Sequence, residues 1–496
     1  MKKISLILLA FLMLHTISCT KETDEESFVP EEQEMQLSGK QVAEVIKNIY
    51  DLEGTFNWNM VSSNVLYSAV MAGEKNVLTI GYGDYEDYTK KTKSPETLNS
   101  LKELLQTIEK TEGKTKENTL LLNDDQLQYI DVVITKKETI DELKKVKNIR
   151  YMEPAAYDYF KYENQQKSSS GCSKDAETIS SADYSRLYTG AKVPWNYSIH
   201  KIDQAWNYSK GRGITVGVID TGVSQYQANL NSKFDDYYSG RFIQKYGTFI
   251  DSAWWWSTNY DGPYDRCGHG TSTASAIAAP NNNNYQPVGV AYECNLVAYR
   301  GTEDVVLNDY HEKKGVTEAL KALANRSDVK IISMSIGYPW SIGNVKDAVK
   351  YAYAKGKLIF AAGGTSTEYT NWYPVIFPAN MSETVAVTGV EEGSGYDECD
   401  VCHKGSQIVF TYVMERTNNH HQPVVGFYNN TSNYFGGSSV ATASTAGIAA
   451  LVWARYPSWN RDQVLNRMKW AADFYPNKHS DFGYGNINAL KAVRGY

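Results

Sequence analysis

Three short segments of the chain set a titratable or nucleophilic side chain among glycines and other small residues. They are Val-Ile-Asp-Thr-Gly at 218–222, Gly-His-Gly-Thr at 268–271 and Gly-Ser-Ser-Val-Ala-Thr-Ala at 437–443. Asp220 follows a continuous apolar run, and open α/β sheets place their sites at the carboxyl ends of such buried strands. His269 and Ser439 each open a run of small residues, which is typical of a tightly packed helix. A serine at a helix N-terminus can direct its hydroxyl and its N–H toward a substrate.

These three side chains together predict acyl transfer. A serine hydroxyl is a weak nucleophile until a base removes its proton, so Ser439 would be the nucleophile and His269 the base. Asp220 would orient the imidazole and stabilise its charged form. The order Asp, His, Ser along the chain differs from the order in unrelated folds that carry the same triad.

The three segments and their order resemble the subtilases, the subtilisin-like serine proteases. Flanking stretches resemble the family's mature N-terminus (193–197), its turn after the His helix (288–291), the strand of its primary specificity pocket (332–337) and its closing motif (484–489). The resemblance covers residues 193–496 fully and the preceding region more faintly. It implies an α/β fold with a mostly parallel sheet and helices on both faces. It also implies endopeptidase activity on polypeptides, with no cofactor required for the chemistry.

The resemblance also implies positions around the triad. Ser335, Ile336 and Gly337 would supply backbone groups to an extended substrate that adds as a strand. The family places an Asn after Ala-Ala-Gly as an oxyanion donor, but Gly364 stands there in this chain. The Ser439 N–H remains, and Thr365 is close enough in sequence to replace the donor. We expect Gly364→Asn to raise turnover unless Gly364 has a positive φ.

The run Asn281 to Asn284 stands where many subtilases bind a structural Ca²⁺. Asn side chains and backbone carbonyls are acceptable calcium ligands. However, the position nine residues after Asp220, usually acidic in the calcium-binding subtilisins, is Asn229. A solvated loop is the favoured interpretation, and structural Ca²⁺ is the alternative.

Apolar runs at 214–219, 329–333 and 357–362 predict buried parallel strands. Between the last two, Ser341 is a candidate cap for a helix that buries Val345 and Val349. Further upstream, the sequence predicts a helix at 41–50 and a small β-α-β unit of a strand at 129–135, a helix at 138–147 and a strand at 149–152. Residues 143–154 resemble the end of a subtilase prosegment, so this unit is expected to act as an intramolecular inhibitor of a zymogen.

The N-terminus predicts export. Lys2 and Lys3 precede an apolar run at 4–14 that is too short to span a bilayer and resembles a signal peptide. Residues 16–19 resemble the lipobox of bacterial lipoproteins, although Thr16 replaces the usual Leu. We therefore expect lipidation of Cys19 and a location at the outer membrane, at the cell surface or in the periplasm. An ordinary secretory signal with a chance Cys is the alternative.

The predicted domain order is a signal peptide at 1–18, a linker and prosegment at 19–165, an activation linker at 166–192 and a catalytic domain at 193–496. After Cys19, five cysteines remain, so at least one is unpaired or bonds another chain. Cys399 and Cys402 form a CxxC that predicts a local disulfide or two free thiols, and a pairing of Cys267 with Cys294 stays open.

The composition of the chain limits the classes of binding partner that we expect. The formal net charge of -7 argues against nucleic acid, which requires a dense basic surface. The missing Asn at Gly364 motivates an alternative function, a subtilase-fold binding protein with weak or no catalysis. A third hypothesis, glycan binding by exposed aromatic side chains, rests on composition alone.

Overall fold

The structure, a computed structural model, describes residues 35–495 except 86, 87, 89, 91, 92, 163–170, 239, 251–258, 366–373 and 394. The predicted signal peptide at 1–18 and the predicted lipidation site Cys19 lie outside the described residues. The residues from Gln36 to Tyr496 form one compact unit.

The N-terminal part of this unit is an antiparallel sheet with helices. Its helices are α1 (Gly39–Glu53), α2 (Ser63–Ala72), α3 (Pro95–Glu112), α4 (Lys116–Thr119), α5 (Lys137–Leu143) and α6 (Tyr159–Tyr162). Its strands are β1 (Val77–Tyr82), β2 (Leu120–Asp124), β3 (Tyr129–Val133) and β4 (Ile149–Pro154), in the order β2-β3-β1-β4.

The predicted N-terminal elements are present, but the sheet is larger than predicted. The helix predicted at 41–50 is α1, which begins with a capping box between Ser38 and Gln41 and ends at Gly54 with a φ of 66°. The predicted β-α-β unit corresponds to β3, α5 and β4. The sequence analysis missed β1, which pairs with both β3 and β4, and the edge strand β2. Burial alternates along β2, but its exposed position 121 is a leucine, so the sequence shows no apolar–polar alternation there.

The C-terminal part begins with a short hairpin and continues as alternating strands and helices. The strands are β5 (Tyr184–Arg186), β6 (Lys192–Pro194), β7 (Thr215–Asp220), β8 (Ile243–Gly247), β9 (Asn295–Arg300), β10 (Val329–Met334), β11 (Leu358–Ala362), β12 (Val385–Glu391), β13 (Ile408–Glu415), β14 (Gln422–Val425) and β15 (Ser432–Phe435). The helices are α7 (Ile202–Ala205), α8 (His269–Ala278), α9 (Tyr310–Asn325), α10 (Gly343–Ala354), α11 (Gly437–Arg455), α12 (Arg461–Trp470) and α13 (Ala489–Arg494).

Seven of these strands form a parallel sheet in the order β13-β12-β11-β10-β7-β9-β8. Alternate residues of a strand enter different cores: Leu296 packs with the α8 and α11 side, and Val297 with Leu323 of α9 on the other side. Helices therefore cover both faces, and the predicted α/β class with a mostly parallel sheet is confirmed. Among the described residues, α11 alone has the length and hydropathy of a membrane-crossing helix, and it is buried in the core.

The strand order reverses beside β7, which pairs with β10 on one side and β9 on the other. The chain leaves β7 toward β8 on one side of the sheet and leaves β10 toward β11 on the other side. A crevice therefore opens between the carboxyl ends of β7 and β10. Asp220 is the last residue of β7 and therefore lies at this crevice.

The N-terminal part packs on α9 and α10 through buried polar contacts. Arg150 and the Tyr151 hydroxyl both donate to Asp347 of α10, at 2.7 and 2.8 Å. The carboxylate of Glu153 accepts from the Gly343 N–H at 2.8 Å. The prediction that Ser341 caps this helix is wrong: the N-cap residue is Ile342, which has no capping side chain, because β4 supplies the carboxylate.

The segment predicted as an activation linker is fastened to the C-terminal part for most of its length. Residues 163–170 lie outside the described residues, but Cys172 forms a disulfide and β5 pairs with β6. Asp183 is fully buried and accepts hydrogen bonds from Arg416 and from Tyr434. From Gly171 onward the chain is therefore part of the folded body.

Candidate active site

Asp220 is fully buried at the end of β7. Its Oδ1 accepts from the Thr221 N–H at 2.8 Å and lies 2.7 Å from His269 Nδ1. Thr273 Oγ1 lies 3.2 Å from Oδ2. These neighbours hold both oxygens of the carboxylate, so it presents one fixed acceptor to the imidazole.

The loop before His269 is organised by Asp265, a residue that the sequence analysis missed. Its Oδ1 accepts from the N–H groups of Cys267 and Gly268, each at 2.8 Å, and Oδ2 accepts from the Thr271 N–H at 3.0 Å. The N-terminus of α8 lacks intrahelical acceptors, and this buried carboxylate supplies them. The signal in the sequence was an Asp four residues before His269.

Ser439 lies in the first turn of α11, with its Oγ 3.0 Å from His269 Nε2. Its neighbours Ser438 and Val440 are buried, whereas Ser439 is partly exposed. The structure thus brings the three residues singled out by the sequence into one hydrogen-bonded series. The Ser439 N–H belongs to the helix turn whose donors lack intrahelical acceptors.

The imidazole of His269 is poised by two opposing effects. Burial disfavours the charged ring, but the charge of Asp220 and its hydrogen bond favour it more strongly, so the pKa of His269 is raised above 6.5. The Phe435 ring packs edge-on against the imidazole at 5.2 Å between centroids. A raised pKa makes the ring a better proton acceptor from a serine hydroxyl.

His269, Phe435 and Ser439 line a cleft of about 390 Å³. Ser335, Ile336 and Gly337 form part of its wall, and the Ser335 hydroxyl donates to the Ser439 carbonyl at 3.2 Å. The backbone of Gly337 is already paired, because its N–H donates to Val305 at 2.9 Å and its carbonyl accepts from Leu307 at 3.0 Å. A substrate strand at Gly337 would have to replace these bonds.

Gly364 lies beside Ser438 with a φ of +127°. A Cβ at this position would lie 2.3 Å from His403 Nδ1. The backbone angle and the imidazole both exclude a larger residue. Gly364→Asn was expected to raise turnover only if Gly364 lacked a positive φ. Because its φ is positive, this change is expected to disturb the site instead of raising turnover.

Thr365 contacts the residue before the candidate nucleophile. Its Oγ1 lies 3.0 Å from Ser438 Oγ and 3.3 Å from the Ser438 N–H, which donates to it. Ser438 Oγ in turn accepts from the Gly364 N–H at 3.3 Å.

The cysteines form two disulfides, Cys172–Cys267 and Cys399–Cys402. The local pairing in the CxxC is one of the two alternatives that the sequence left open. Cys267 is bonded to Cys172 and therefore does not pair with Cys294, a buried thiol whose pKa is raised to about 12 by burial.

The loop considered for calcium is closed by its own side chains. Asn229 Oδ1 accepts amide hydrogens from Asn282 at 3.1 Å and from Asn284 at 2.5 Å. The Lys233 ammonium donates to Asn284 Oδ1 at 3.0 Å. The amide oxygens already face donors, and a lysine supplies the positive charge, so these residues do not fit a calcium ion. Among the described residues, no group of three or more His, Cys, Asp or Glu side chains could hold a metal.

Comparisons with known proteins agree with this geometry. The family model described as "Subtilase family" matches residues 211–486, which is more than half of the chain. Subtilisin DY of Bacillus licheniformis is 28% identical over 316 residues, which cover 61% of this chain and 99% of the relative. Subtilisin E of Bacillus subtilis (strain 168) is 26% identical over 380 residues, which cover 74% of this chain and 82% of the relative.

A solved structure supports the fold. Fervidolysin from Fervidobacterium pennivorans, described as a keratinolytic enzyme related to subtilisin, matches with a TM-score of 0.58 at 16% identity. The match covers 85% of this chain and 61% of the fervidolysin chain, so the two differ in extent. At this identity the likeness concerns the fold. Taken with the family match, it shows that the chain belongs to the subtilase family of subtilisin-like serine endopeptidases.

Proposed function

We propose that the protein is an exported zymogen of a serine endopeptidase that cleaves peptide bonds through Asp220, His269 and Ser439. The observation that carries this proposal is the series of contacts from Asp220 Oδ1 to His269 Nδ1 at 2.7 Å and from His269 Nε2 to Ser439 Oγ at 3.0 Å. Both distances fall within hydrogen-bond range, which is the geometric requirement for a nucleophile and its base.

In the proposed reaction, Ser439 Oγ attacks the scissile carbonyl carbon while His269 Nε2 takes the hydroxyl proton. The imidazolium, stabilised by Asp220, then gives this proton to the leaving amine, and an acyl-enzyme remains. Water enters as the amine leaves, and His269 removes its proton as it attacks the ester. Carboxylic acid is released and the Ser439 hydroxyl is restored.

The oxyanion would be held by the Ser439 N–H and the Thr365 hydroxyl. The support for Thr365 is its position: its hydroxyl bonds to the N–H and the hydroxyl of Ser438, the residue directly before the nucleophile. The substrate residues on the acyl side of the scissile bond, which precede it in the chain, would lie against residues 335–337. We infer that the Val305–Gly337 and Leu307–Gly337 bonds open when a substrate strand adds at this edge.

The N-terminal part would inhibit the precursor. Phe160, shortly after β4, lines the same cleft as Ser439 and packs edge-on against Tyr338 at 5.8 Å. The contacts of Arg150 and Glu153 with α10 fix β4 so that the following chain enters the cleft. Cleavage between Phe160 and the catalytic domain would allow the N-terminal part to dissociate from the cleft.

Export and lipid attachment through Cys19 rest on the sequence of the N-terminus. Two or more acyl chains would give stable anchoring, because one chain binds a bilayer only marginally. Fatty-acid labelling should appear in the wild-type precursor and not in Cys19→Ala. Equal labelling of both would leave an ordinary secretory signal as the explanation.

The function is tested by expressing wild type and Ser439→Ala in a protease-deficient host. Wild type should mature to a catalytic domain that starts between Tyr157 and Val193 and degrades casein, whereas Ser439→Ala should stay full length and inactive. Maturation of the Ser439→Ala variant would contradict the proposal that the protein cleaves its own precursor. Mature wild-type protein that binds casein without degrading it would favour the binding-protein alternative.

A further inference from the structure

Residues 171–177, here called the strap, run along the His269 wall of the cleft. Gly171, Cys172, Ser173 and Glu177 line the same cleft as His269 and Ser439. The strap is fixed by the disulfide between Cys172 and Cys267, whose Cα atoms are 4.6 Å apart. Because Cys267 lies two residues before His269, the disulfide attaches the strap next to the base of the triad.

The backbone of the strap is in close contact with the catalytic loop. A Cβ on Gly171 would lie 3.3 Å from His269 Cδ2 and 3.4 Å from Val305 Cγ1. The Ser173 carbonyl oxygen would lie 1.9 Å from a Cβ on Gly268, so its approach requires a glycine there. The strap therefore covers the imidazole edge instead of merely passing near it.

The far end of the strap is attached to elements beyond His269. The Glu177 N–H donates to the Ser432 carbonyl of β15 at 2.8 Å. The Lys174 ammonium lies 5.3 Å from the centre of the Phe427 ring, within cation–π range. Just after the strap, the Ser180 N–H donates to the Tyr434 hydroxyl at 3.0 Å.

These attachments place the strap on the leaving-group side of the cleft. Residues 335–337, the proposed partners of the acyl residues, form the other wall. β15 borders His269 directly through Phe435, and His269 is the group that must protonate the leaving amine. Chain that follows the scissile bond would therefore pass between His269 and β15, where the strap lies.

We propose that the Cys172–Cys267 disulfide keeps the strap on the leaving-group side after maturation, so that the enzyme disfavours substrates with a long chain beyond the scissile bond. This inference rests on the proposed endopeptidase function and concerns the same site. The prosegment is held by non-covalent contacts once the chain is cut before Gly171. The strap is held by a covalent bond and stays.

The test compares mature wild type with Cys172→Ser on two substrates that share one acyl peptide. One ends in p-nitroanilide, and the other continues for several residues to a quenched fluorophore. Releasing the strap should raise kcat/KM for the extended peptide about tenfold relative to the anilide, which corresponds to about 1.4 kcal/mol. The anilide occupies little of the leaving-group side and serves as the reference, because a general effect on the triad alters both rates alike and leaves their ratio unchanged.

A second measurement covers the case in which Cys172→Ser folds poorly. Dithiothreitol gives two electrons and two protons to the disulfide, yielding two thiols and its own cyclic disulfide, and wild type should respond as the variant does. The double variant Cys399→Ser/Cys402→Ser, which lacks the other disulfide, should keep this response. N-terminal sequencing should place the mature N-terminus at or before Cys172.

The outcomes separate the two proposals. Absence of anilide hydrolysis by wild type would contradict the endopeptidase function. Anilide hydrolysis with the same extended-to-anilide ratio before and after strap release would overturn the role of the strap alone. A mature N-terminus after Cys172 would also overturn it, because the strap would then lack the cysteine that attaches it to Cys267.

Discussion

At the scale of single residues, the site depends on the groups that keep the pKa of the buried His269 imidazole high enough for it to accept a proton. Burial alone would lower the pKa of His269, and the adjacent carboxylate of Asp220 makes the largest contribution to reversing this effect. Asp220 can do so because β7 and the Thr221 N–H hold it in place without solvent. The charge of Asp265 acts in the same direction.

The pH dependence of the reaction follows from this balance. Catalysis requires neutral His269, so activity is lost as the pH falls through its pKa. Because that pKa is raised, the acid limb of kcat/KM should lie above pH 6.5, the ordinary value for histidine. The measurement is kcat/KM for a non-titrating p-nitroanilide across the acid limb, and a limb at or below the ordinary value would contradict the assigned electrostatics.

Thr365 offers a second residue-scale prediction. Thr365→Val keeps the volume of the side chain and removes the hydroxyl proposed to bind the oxyanion. Turnover should fall by about 100- to 1000-fold with KM nearly unchanged, because the lost interaction is made mainly in the transition state. Steady-state kinetics on a p-nitroanilide would measure both constants.

Two variants control for structural effects of this change. Thr365→Ser retains the hydroxyl and should retain most of the turnover. Thr248→Val removes another buried hydroxyl, which donates to the Gly315 carbonyl at 2.7 Å away from the triad, and should leave kcat near the wild-type value. If Thr365→Val turns over like Thr248→Val, the second oxyanion donor is a different group.

The triad residues could be singled out because their neighbours carry the signal. Asp220 follows an apolar strand, and His269 and Ser439 open runs of small residues that only tight helix packing requires. Asp265 has no comparable pattern: a lone acid in a loop is usually solvated, and its burial depends on how the loop folds back. Gly364 was recognisable as a missing donor, but its φ and its contact with His403 were not.

At the scale of elements, the buried parallel strands were the most predictable part. The run at 214–219 corresponds to β7, and those at 329–333 and 357–362 correspond to β10 and β11, because strands buried on both faces are continuously apolar. The cap of α10 was not predictable, since the carboxylate that binds its N-terminus comes from Glu153, 190 residues earlier. The strap was equally hidden, because Cys172 and Cys267 are 95 residues apart.

The loop at 281–284 gives a prediction at this scale. The amide oxygen of Asn229 accepts from Asn284 and that of Asn284 accepts from Lys233, so a chelator should leave the Tm of the protein unchanged. Lys233→Met should lower the Tm slightly, because the change removes the donor to Asn284 Oδ1, which is only half-buried; one lost hydrogen bond of this kind costs about 0.5–1.5 kcal/mol. Lys102→Met, at an exposed lysine of α3, is the matched control. A drop in Tm with chelator would show that a metal supports this loop.

At the scale of the whole molecule, the N-terminal part and the catalytic part share one interface of buried polar groups. Arg150 pairs with Asp347, and Tyr151 donates to the same carboxylate. Buried pairs of this kind contribute little when intact, but they are costly when one partner is removed. The interface therefore favours one docking geometry, which is what an inhibitor that must place Phe160 in the cleft requires.

Glu153 makes this interface sensitive to pH. Loss of water around its carboxyl raises its pKa to about 7, and the charge of Asp347 adds to the rise. The hydrogen bond from the Gly343 N–H and the charges of Lys313 and Lys346 act in the opposite direction and lower the pKa. The sign follows from linkage: a carboxyl whose folded-state pKa is raised contributes stability at low pH and loses it as the pH rises from its unfolded value of 4.5 to about 7.

The comparison of Glu153→Gln with its parent, both carrying Ser439→Ala to prevent cleavage, isolates this group. Gln keeps an oxygen acceptor for Gly343 and does not titrate. The Tm of the Gln variant minus that of the parent should rise from about pH 5 to about pH 7 and then level off, because only the parent must ionise a disfavoured carboxyl. Asp347 and the lysines are common to both proteins, so their titration largely cancels. A difference that is flat with pH would mean that burial does not raise the pKa of Glu153 at this interface, and the contact of the N-terminal part with α10 would then not weaken as the pH rises.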